Sequence, residues 1–450
     1  MVKVMALLLA CCGISVTAAA DTVVLHDVNL IDGGGGVPRM HTDVVIQDGH
    51  IASIQAASGQ SIQGRVVNLS GRTVLPGLIS NHSHLGLTDG KNAGGQYATT
   101  ANILRQLQQY QTYGVTTVVS LGLNQQSFYD LAPKIHSGEL QGADMFGADR
   151  GFGVPDGAPP AAMGITEGQV YRPNTIDEAR AEVRETASRH PAFVKIWVDD
   201  FHGQMPQKLS PSIYKAIIEE AHAHGLRVAA HVYYLADAKQ LVADGVDVLA
   251  HGVRDVPVDQ EFIAAVKAHH VWYIPTLGLD ESAYLFAEHP ELASEPFLAH
   301  ALQPAMALQL ADPTWRANIL SNTKKLAADK SSLSMNERNV KTLYDAGVQI
   351  GFGTDSGATP LRIAGFAEHR ELELLVAAGL TPLQAIGTAT KNAAALLKLD
   401  DRGTVAPGRW ADLLVVEGDP SQEISRVNRI VSVWRHGQQV AGSLDGQTSR

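Results

Sequence analysis

Short runs of alternating apolar and polar residues open the chain: Thr22 to Leu25, Asp43 to Gln47, His50 to Ile54 and Arg65 to Leu69. Glycine-rich turns such as Gly33 to Gly36 separate them. Period-two alternation broken by glycine predicts strands of a small β unit. The pattern returns near the other end, at Ala411 to Val416 and Ile430 to His436, with turns at Gly408, Gly418-Asp419-Pro420 and Gly437. Two β-rich flanks around a different middle predict one small β-sandwich built from both termini.

The middle alternates strand-like with helical stretches. The strand-like runs are Gly77–His84, Val115–Gly122, Asp144–Phe152, Ala192–Asp199, Leu226–Tyr233, Val246–Gly252, Val271–Gly278 and Val348–Asp355. Amphipathic segments lie between them, for instance Thr175–Arg189, Pro211–His224 and Leu235–Ala243, the last ending before Gly245. Eight such strands predict an α/β chain with a (β/α)8 TIM barrel. The expected division is a signal peptide at 1–20, sandwich segments at 21–76 and 402–443, the barrel at 77–401 and a tail at 444–450. The long connection Asp280 to Ala346 is expected to be mostly helical and to include a lid. Gly153 to Arg172, rich in Pro and Gly, is expected to be an irregular loop.

Composition narrows the field. A net charge of −11 over 450 residues, with no basic stripe, excludes a phosphate-tracking surface and so nucleic acid as partner. Met1 to Ala20 has the form of a secretory signal: Lys3, the apolar run Val4 to Ile14, then Ala18-Ala19-Ala20. That run is too short for a permanent membrane span, and the expected address is periplasmic or secreted. A lipoprotein signal ending at Cys11 is the rival reading. Both cysteines, Cys11 and Cys12, lie inside the signal. Cleavage after Ala20 therefore leaves no thiol, and a metal would need His and oxygen ligands.

Candidate chemistry sits where the barrel strands end. His82 and His84 alternate out to the same face of one strand, about 7 Å apart along the backbone. Two imidazoles converging there make half of a metal site. The fifth and sixth strands end in His231 and His251, the eighth in Asp355 within Gly351-Phe352-Gly353-Thr354-Asp355-Ser356. Taken singly, either histidine suits a hydrogen-bonded core as well as a metal, and Asp355 suits an N-cap. Lys195 lies within the apolar fourth strand, Phe193 to Val198. Desolvation requires that its amine be paired, neutral or modified. One modification, a carbamate formed with carbon dioxide, supplies an anionic group able to bridge two cations.

Together these residues resemble the amidohydrolase superfamily, in its binuclear branch with a carboxylated lysine. The likeness includes the stretch VLPGLI before His82 and His84, AAHVY around His231, LAHG around His251, GTDSG around Asp355 and the closing GTVAPGRWADLLVVEGDP. The general style is similar to the imidazolonepropionase-like group that includes prolidase-type dipeptidases. The resemblance implies that His82, His84 and Asp355 bind a buried divalent ion. His231 and His251 would bind a more exposed one, and carboxylated Lys195 would bridge the two, which are expected to be Zn2+. It implies hydrolysis of an amide or peptide bond in a dipeptide or N-acyl amino acid, with Asp355 passing a proton to the leaving nitrogen. Ser80 stands where the family pattern has an acid, and Tyr233 where many relatives have a second histidine.

Substrate contacts are less determined. Tyr233, Tyr234, Arg150 and Arg254 are candidates for holding a substrate carboxylate, Tyr233 also as a donor to the reacting carbonyl. Trp197, Phe201, Trp272 and Tyr273 are candidates for an apolar lining. Asp255 or Arg254 is the expected partner of His251. Lactone, ester or phosphotriester hydrolysis, mononuclear deamination or cyclic amide hydrolysis, and a non-catalytic exported binding protein remain as alternatives. A small-molecule substrate and a homo-oligomer complete the expectation.

Overall fold

The computed structural model describes residues 22–57, 64–166, 168–201 and 203–442. The signal segment Met1 to Ala20, its two cysteines and the tail 444–450 lie outside the described residues.

Strands from both ends join one sheet. Thr22–Leu30 pairs antiparallel with Arg39–Gln47, which pairs with His50–Ala56, and Arg65–Asn68 runs parallel to the first. Arg72–Pro76 then lies beside Thr22–Leu30 and, on its other edge, antiparallel to Leu413–Glu417. Ile430–Arg435 and Gln438–Gly442 extend the sheet outward. The expected sandwich is, in its hydrogen bonding, a single connected sheet of eight strands. The cause is Arg72–Pro76, whose two edges are both paired. Alternate side chains including Val23, Leu25, Val44, Ile46, Leu413, Val415 and Trp434 form its own apolar core.

The middle of the chain has a barrel-like α/β fold. Leu78–Ser83, Val115–Ser120 and Asp144–Gly147 pair in parallel. Phe193–Trp197, Arg227–His231, Val248–Ala250 and Trp272–Ile274 form a second parallel set. Bridges Ala148–Phe193 and Phe152–Ile196 link the two sets, while Tyr273–Ile350 and Ser83–Ser356 place the eighth run between their outer edges. That eighth run has no regular ladder among the described residues. The amides of Thr354 and Asp355 both turn to the His82 carbonyl, at 3.0 and 2.9 Å, and Asp355 has φ 59°. Gly353 permits this approach, because a Cβ there would lie 2.6 Å from the His82 Cβ.

Helices cover the strands. Thr175 and Glu178 form a capping box that starts Ile176–Ala187, and Asp259 caps Gln260–Ala268. Leu235–Ala243 ends one residue before Asp244, with Gly245 at φ 95° completing the stop. The connection after residue 280 is helical, dominated by Thr323–Asp345, whose Asn336 donates to the Pro275 carbonyl at 2.8 Å. Among the described residues, 153–166 and 168–172 are largely irregular, with a short helical turn at Ala161–Met163. Among the described residues no helix is long and apolar enough to cross a membrane.

Candidate metal centre

The strand Leu78–Ser83 is buried throughout, so its polar end is held inside protein rather than in water. There His82 and His84 approach one carboxylate: Asp355 Oδ1 lies 3.2 Å from His82 Nε2 and 3.1 Å from His84 Nε2. His251 packs against His82, ring centroids 4.5 Å apart, and His231 against His251 at 4.3 Å. His82, His251 and Asp355 each offer an atom within 4.8 Å of the others, a spacing that suits one shared cation.

Three of the imidazoles have one nitrogen engaged by protein oxygen. His84 Nδ1 lies 3.3 Å from the Gly122 carbonyl, His251 Nδ1 2.8 Å from Thr276 Oγ1, and His231 Nε2 2.7 Å from Asp199 Oδ2. Such contacts fix ring orientation and tautomer and leave the second nitrogen for a ligand role. His82 has neither nitrogen in a well-aligned hydrogen bond among the described residues, despite its nearness to Asp355. His251 and Thr276 hold φ of 119° and 47°, backbone that non-glycine residues rarely adopt.

Lys195 is close enough for its charge to act on His82, His231 and His251, and is fully buried, with no hydrogen-bond partner for Nζ among the described residues. The ring of Trp197 is 5.5 Å from that nitrogen, and Gly122 packs on its aliphatic stem. Burial pulls the amine down to about 7, partly opposed by Asp355, so a neutral amine is accessible near neutrality. Burial likewise lowers His82 to about 3, helped by the Lys195 charge, and brings His251 well below its ordinary value. For Asp355 burial acts upward, but Arg362 and the two histidines outweigh it and hold the carboxyl well below the usual range. Asp199, also buried, is pulled down to about 2 by its bond to His231. Orphaned polar atoms on His82 and Lys195, beside three imidazoles each anchored at one nitrogen, fit divalent cations.

The candidate substrate residues separate. Arg254 is buried near the centre, its guanidinium over the Tyr233 ring at 4.9 Å and its Nε 3.3 Å from Asp280 Oδ2. Tyr233 places its hydroxyl 3.1 Å from Ser332 Oγ, and Tyr234 donates to Asp200 Oδ1 at 2.9 Å. Arg150 lines a different cleft, of about 250 Å³, with Tyr129, Asp149 and Arg189. There it lies 3.6 Å from Glu185 and stacks on Tyr171 at 4.9 Å. Phe201 is 5.8 Å from the His231 ring, centroid to centroid. Tyr273 is fully buried and its hydroxyl accepts from the Val253 amide at 2.7 Å, a core role, while Trp272 packs partly buried against that core. Asp255 does not serve His251. It accepts from the Leu235 amide at 2.9 Å, and Thr276 takes the place expected for it.

Sequence reasoning missed Asp199, Thr276 and Arg362. Asp199 ends the predicted fourth strand, and that position was the available signal. Arg362, seven residues past Asp355, gave none.

Comparison with known proteins places the chain by family and fold. The Amidohydrolase family profile matches residues 73–447. An uncharacterised protein of Mycobacterium bovis is 29% identical over 252 residues, covering 54% of this chain and 56% of that protein. The chain thus spans just over half the length of that curated relative. Imidazolonepropionase of Deinococcus deserti is 35% identical over 106 residues, 22% of this chain and 26% of the enzyme. The crystal structure of a Xaa-Pro dipeptidase superposes with a TM-score of 0.71 at 22% identity, covering 93% of this chain and 99% of the dipeptidase, a likeness of fold. By the extent of the family match, the chain belongs to the amidohydrolase family.

Proposed function

We propose that this chain is a binuclear metal-dependent hydrolase that cleaves the amide bond of a dipeptide or N-acyl amino acid, working at the mouth of a closed (β/α)8 barrel. The observation that carries the reading is Lys195: a fully buried amine with no hydrogen-bond partner among the described residues, beside imidazoles and a carboxylate. Carbon dioxide is the missing partner. The lone pair of the neutral amine forms a C–N bond to it as one C=O π bond opens onto oxygen, one of the two N–H protons of the adduct leaves to water, and the resulting carbamate anion carries two oxygens.

His82, His84 and Asp355 would hold one ion, His231 and His251 the other, and the carbamate of Lys195 would bridge them. Two bound Zn2+ ions would acidify a water molecule and polarise the scissile carbonyl. Asp355 would serve as the proton carrier, taking a proton from the attacking water and giving it to the leaving nitrogen. Asp199 and Thr276 keep His231 and His251 turned inward through their other nitrogens. Arg254, buried and braced by the face of Tyr233, is a cation suited to a substrate carboxylate, and the Tyr233 hydroxyl is a second donor. The likeness in fold to a Xaa-Pro dipeptidase supports this substrate class.

Export belongs to the same reading, supported by the signal pattern of Met1 to Ala20, as does a division at residues 76 and 402 between the terminal β unit and the barrel. The test is to strip the mature protein, reconstitute it with Zn2+, count the metal, and assay dipeptides and N-acyl amino acids beside esters and phosphotriesters. About two ions per chain with amide turnover is expected. One ion per chain, or turnover confined to esters or phosphotriesters, would refute the reading.

A further inference from the structure

One carboxyl lies beneath this centre with no part in the scheme above. The helix Phe366–Ala377 carries Glu368, which is fully buried. Its Oε1 accepts from three hydroxyls at once: Ser80 Oγ at 3.1 Å, Thr354 Oγ1 at 2.6 Å and Ser356 Oγ at 2.7 Å. Its Oε2 accepts from the Gly365 amide at 2.8 Å. The network extends outward on both sides, from Ser83 Oγ to Ser80 Oγ at 3.0 Å and between Tyr110 and Ser356 at 2.6 Å.

The positions of these donors give the carboxyl its meaning. Ser80 precedes His82 by two residues on the same strand. Thr354 and Ser356 flank Asp355. One oxygen therefore ties the segment that presents His82 to both neighbours of Asp355, where the described pairing of the first strand with the eighth run is the single bridge Ser83–Ser356. Backbone bonds join the two segments here, from the Asn81 amide to the Phe352 carbonyl at 2.6 Å, from the Thr354 and Asp355 amides to the His82 carbonyl, and from the His84 amide to the Ser356 carbonyl at 2.7 Å, and the side-chain bonds to Glu368 are a second tie across the same junction. Burying three hydroxyls without an acceptor would cost about 1–3 kcal/mol each, so the arrangement depends on this one side chain.

We propose that Glu368 is a positioning residue for the metal centre: its buried carboxyl fixes the spacing between His82 and Asp355, with Ser80 as the donor that connects it to the first strand. This inference rests on the metal-centre reading above. It predicts that metal affinity follows the acceptor rather than helix packing. Glu368→Met keeps bulk but removes the acceptor, and is expected to weaken Zn2+ binding about tenfold or more, in line with the effect of losing groups that support metal ligands. Glu368→Gln, which retains one acceptor oxygen, is expected to stay within about threefold of wild type by the same scale. The exchange Ser80→Asp with Glu368→Ser, which moves the carboxyl across the 3.1 Å bond, is expected to restore most of the loss.

Affinity is measured on the full mature chain by competition with a chromophoric chelator, using Zn2+ alone, with thermal midpoints of the metal-free proteins recorded alongside. Unchanged affinity in Glu368→Met, or a folded exchange variant that restores nothing, overturns the inference. Should Glu368→Met not fold, Ser80→Ala and Thr354→Val each remove one donor. Weakened affinity at unchanged midpoint supports the inference, and wild-type affinity in both overturns it. Wild-type protein that takes up no Zn2+ overturns the metal centre itself, whereas wild-type binding with unaffected variants overturns only the role of Glu368.

Discussion

The guanidinium of Arg362 donates to Oδ2 of Asp355, while Oδ1 of the same carboxylate faces His82 Nε2 and His84 Nε2 at 3.2 and 3.1 Å. A fixed cation thus stands where a divalent ion has to be received. Arg362→Met removes a positive charge from the edge of the site and frees one carboxylate oxygen. Zn2+ affinity of the metal-stripped protein is expected to rise about tenfold, roughly 1.4 kcal/mol. Chelator competition measures it, and an equal or weaker affinity refutes the idea.

Asp199 fixes His231 through a 2.7 Å bond and carries the negative charge that makes the ring a better donor to metal. Asp199→Asn keeps the shape and removes the charge. Metal affinity or turnover is expected to fall about 10–100-fold, with the thermal midpoint of the metal-free protein little changed. A variant indistinguishable from wild type in both would show that Asp199 is an ordinary structural partner.

Lys195→Met separates stability from function. The thioether fills much of the same volume without a charged group, so the metal-free protein is expected to gain about 1–3 kcal/mol by losing a buried amine that has no hydrogen-bond partner among the described residues. Metal content is expected to fall below two per chain and hydrolysis to be lost. Denaturant unfolding and metal analysis check the two halves. A variant that still holds two ions and turns over at the wild-type rate would refute the bridging role.

Glu371 offers a test by pH away from the metal ligands. It is fully buried, accepts from the amides of Leu277 and Gly278 at 2.7 and 2.8 Å, and burial pushes its carboxyl up to about 8. A raised folded-state value means that the folded chain keeps a proton that the unfolded chain has released between about 4.5 and 8. The contribution of this group is therefore fully present below the lower value and is lost as pH rises through the upper one. Glu371→Gln cannot ionise, so its stability relative to wild type is expected to improve from pH 5 to about pH 8 and to level off above that. Parallel stability curves across that range would contradict the assignment.

The strand ends were legible because each desolvated polar residue there interrupts an apolar run. His82, His84, His231, His251 and Asp355 stand out for that reason, and the structure gathers them. Lys195 was legible by the same contrast. Partners reached across the fold were not: Glu368 reads as one acid among several on a helix, and its bond to Ser80 joins residues far apart in sequence. Ser80, seen alone, looked like a missing support. Asp255 was chosen for His251 by nearness in sequence, whereas Thr276 reaches it from the next strand. The β flanks were readable from period-two alternation, yet alternation specifies faces and not which edges pair, so one connected sheet was indistinguishable from two. Arg150 follows the third strand but pairs outward with Glu185, a direction that no local pattern encodes.

The pairing of Arg72–Pro76 with Leu413–Glu417 also bears on how the molecule is made. A nascent chain exposes the outer edge of its early strands through the synthesis of the whole barrel, with backbone donors and acceptors unfilled until the last segment emerges. Truncation before residue 413 would leave that edge open for good. Loss of a short C-terminal piece is thus expected to appear as self-association rather than as a simple drop in melting temperature.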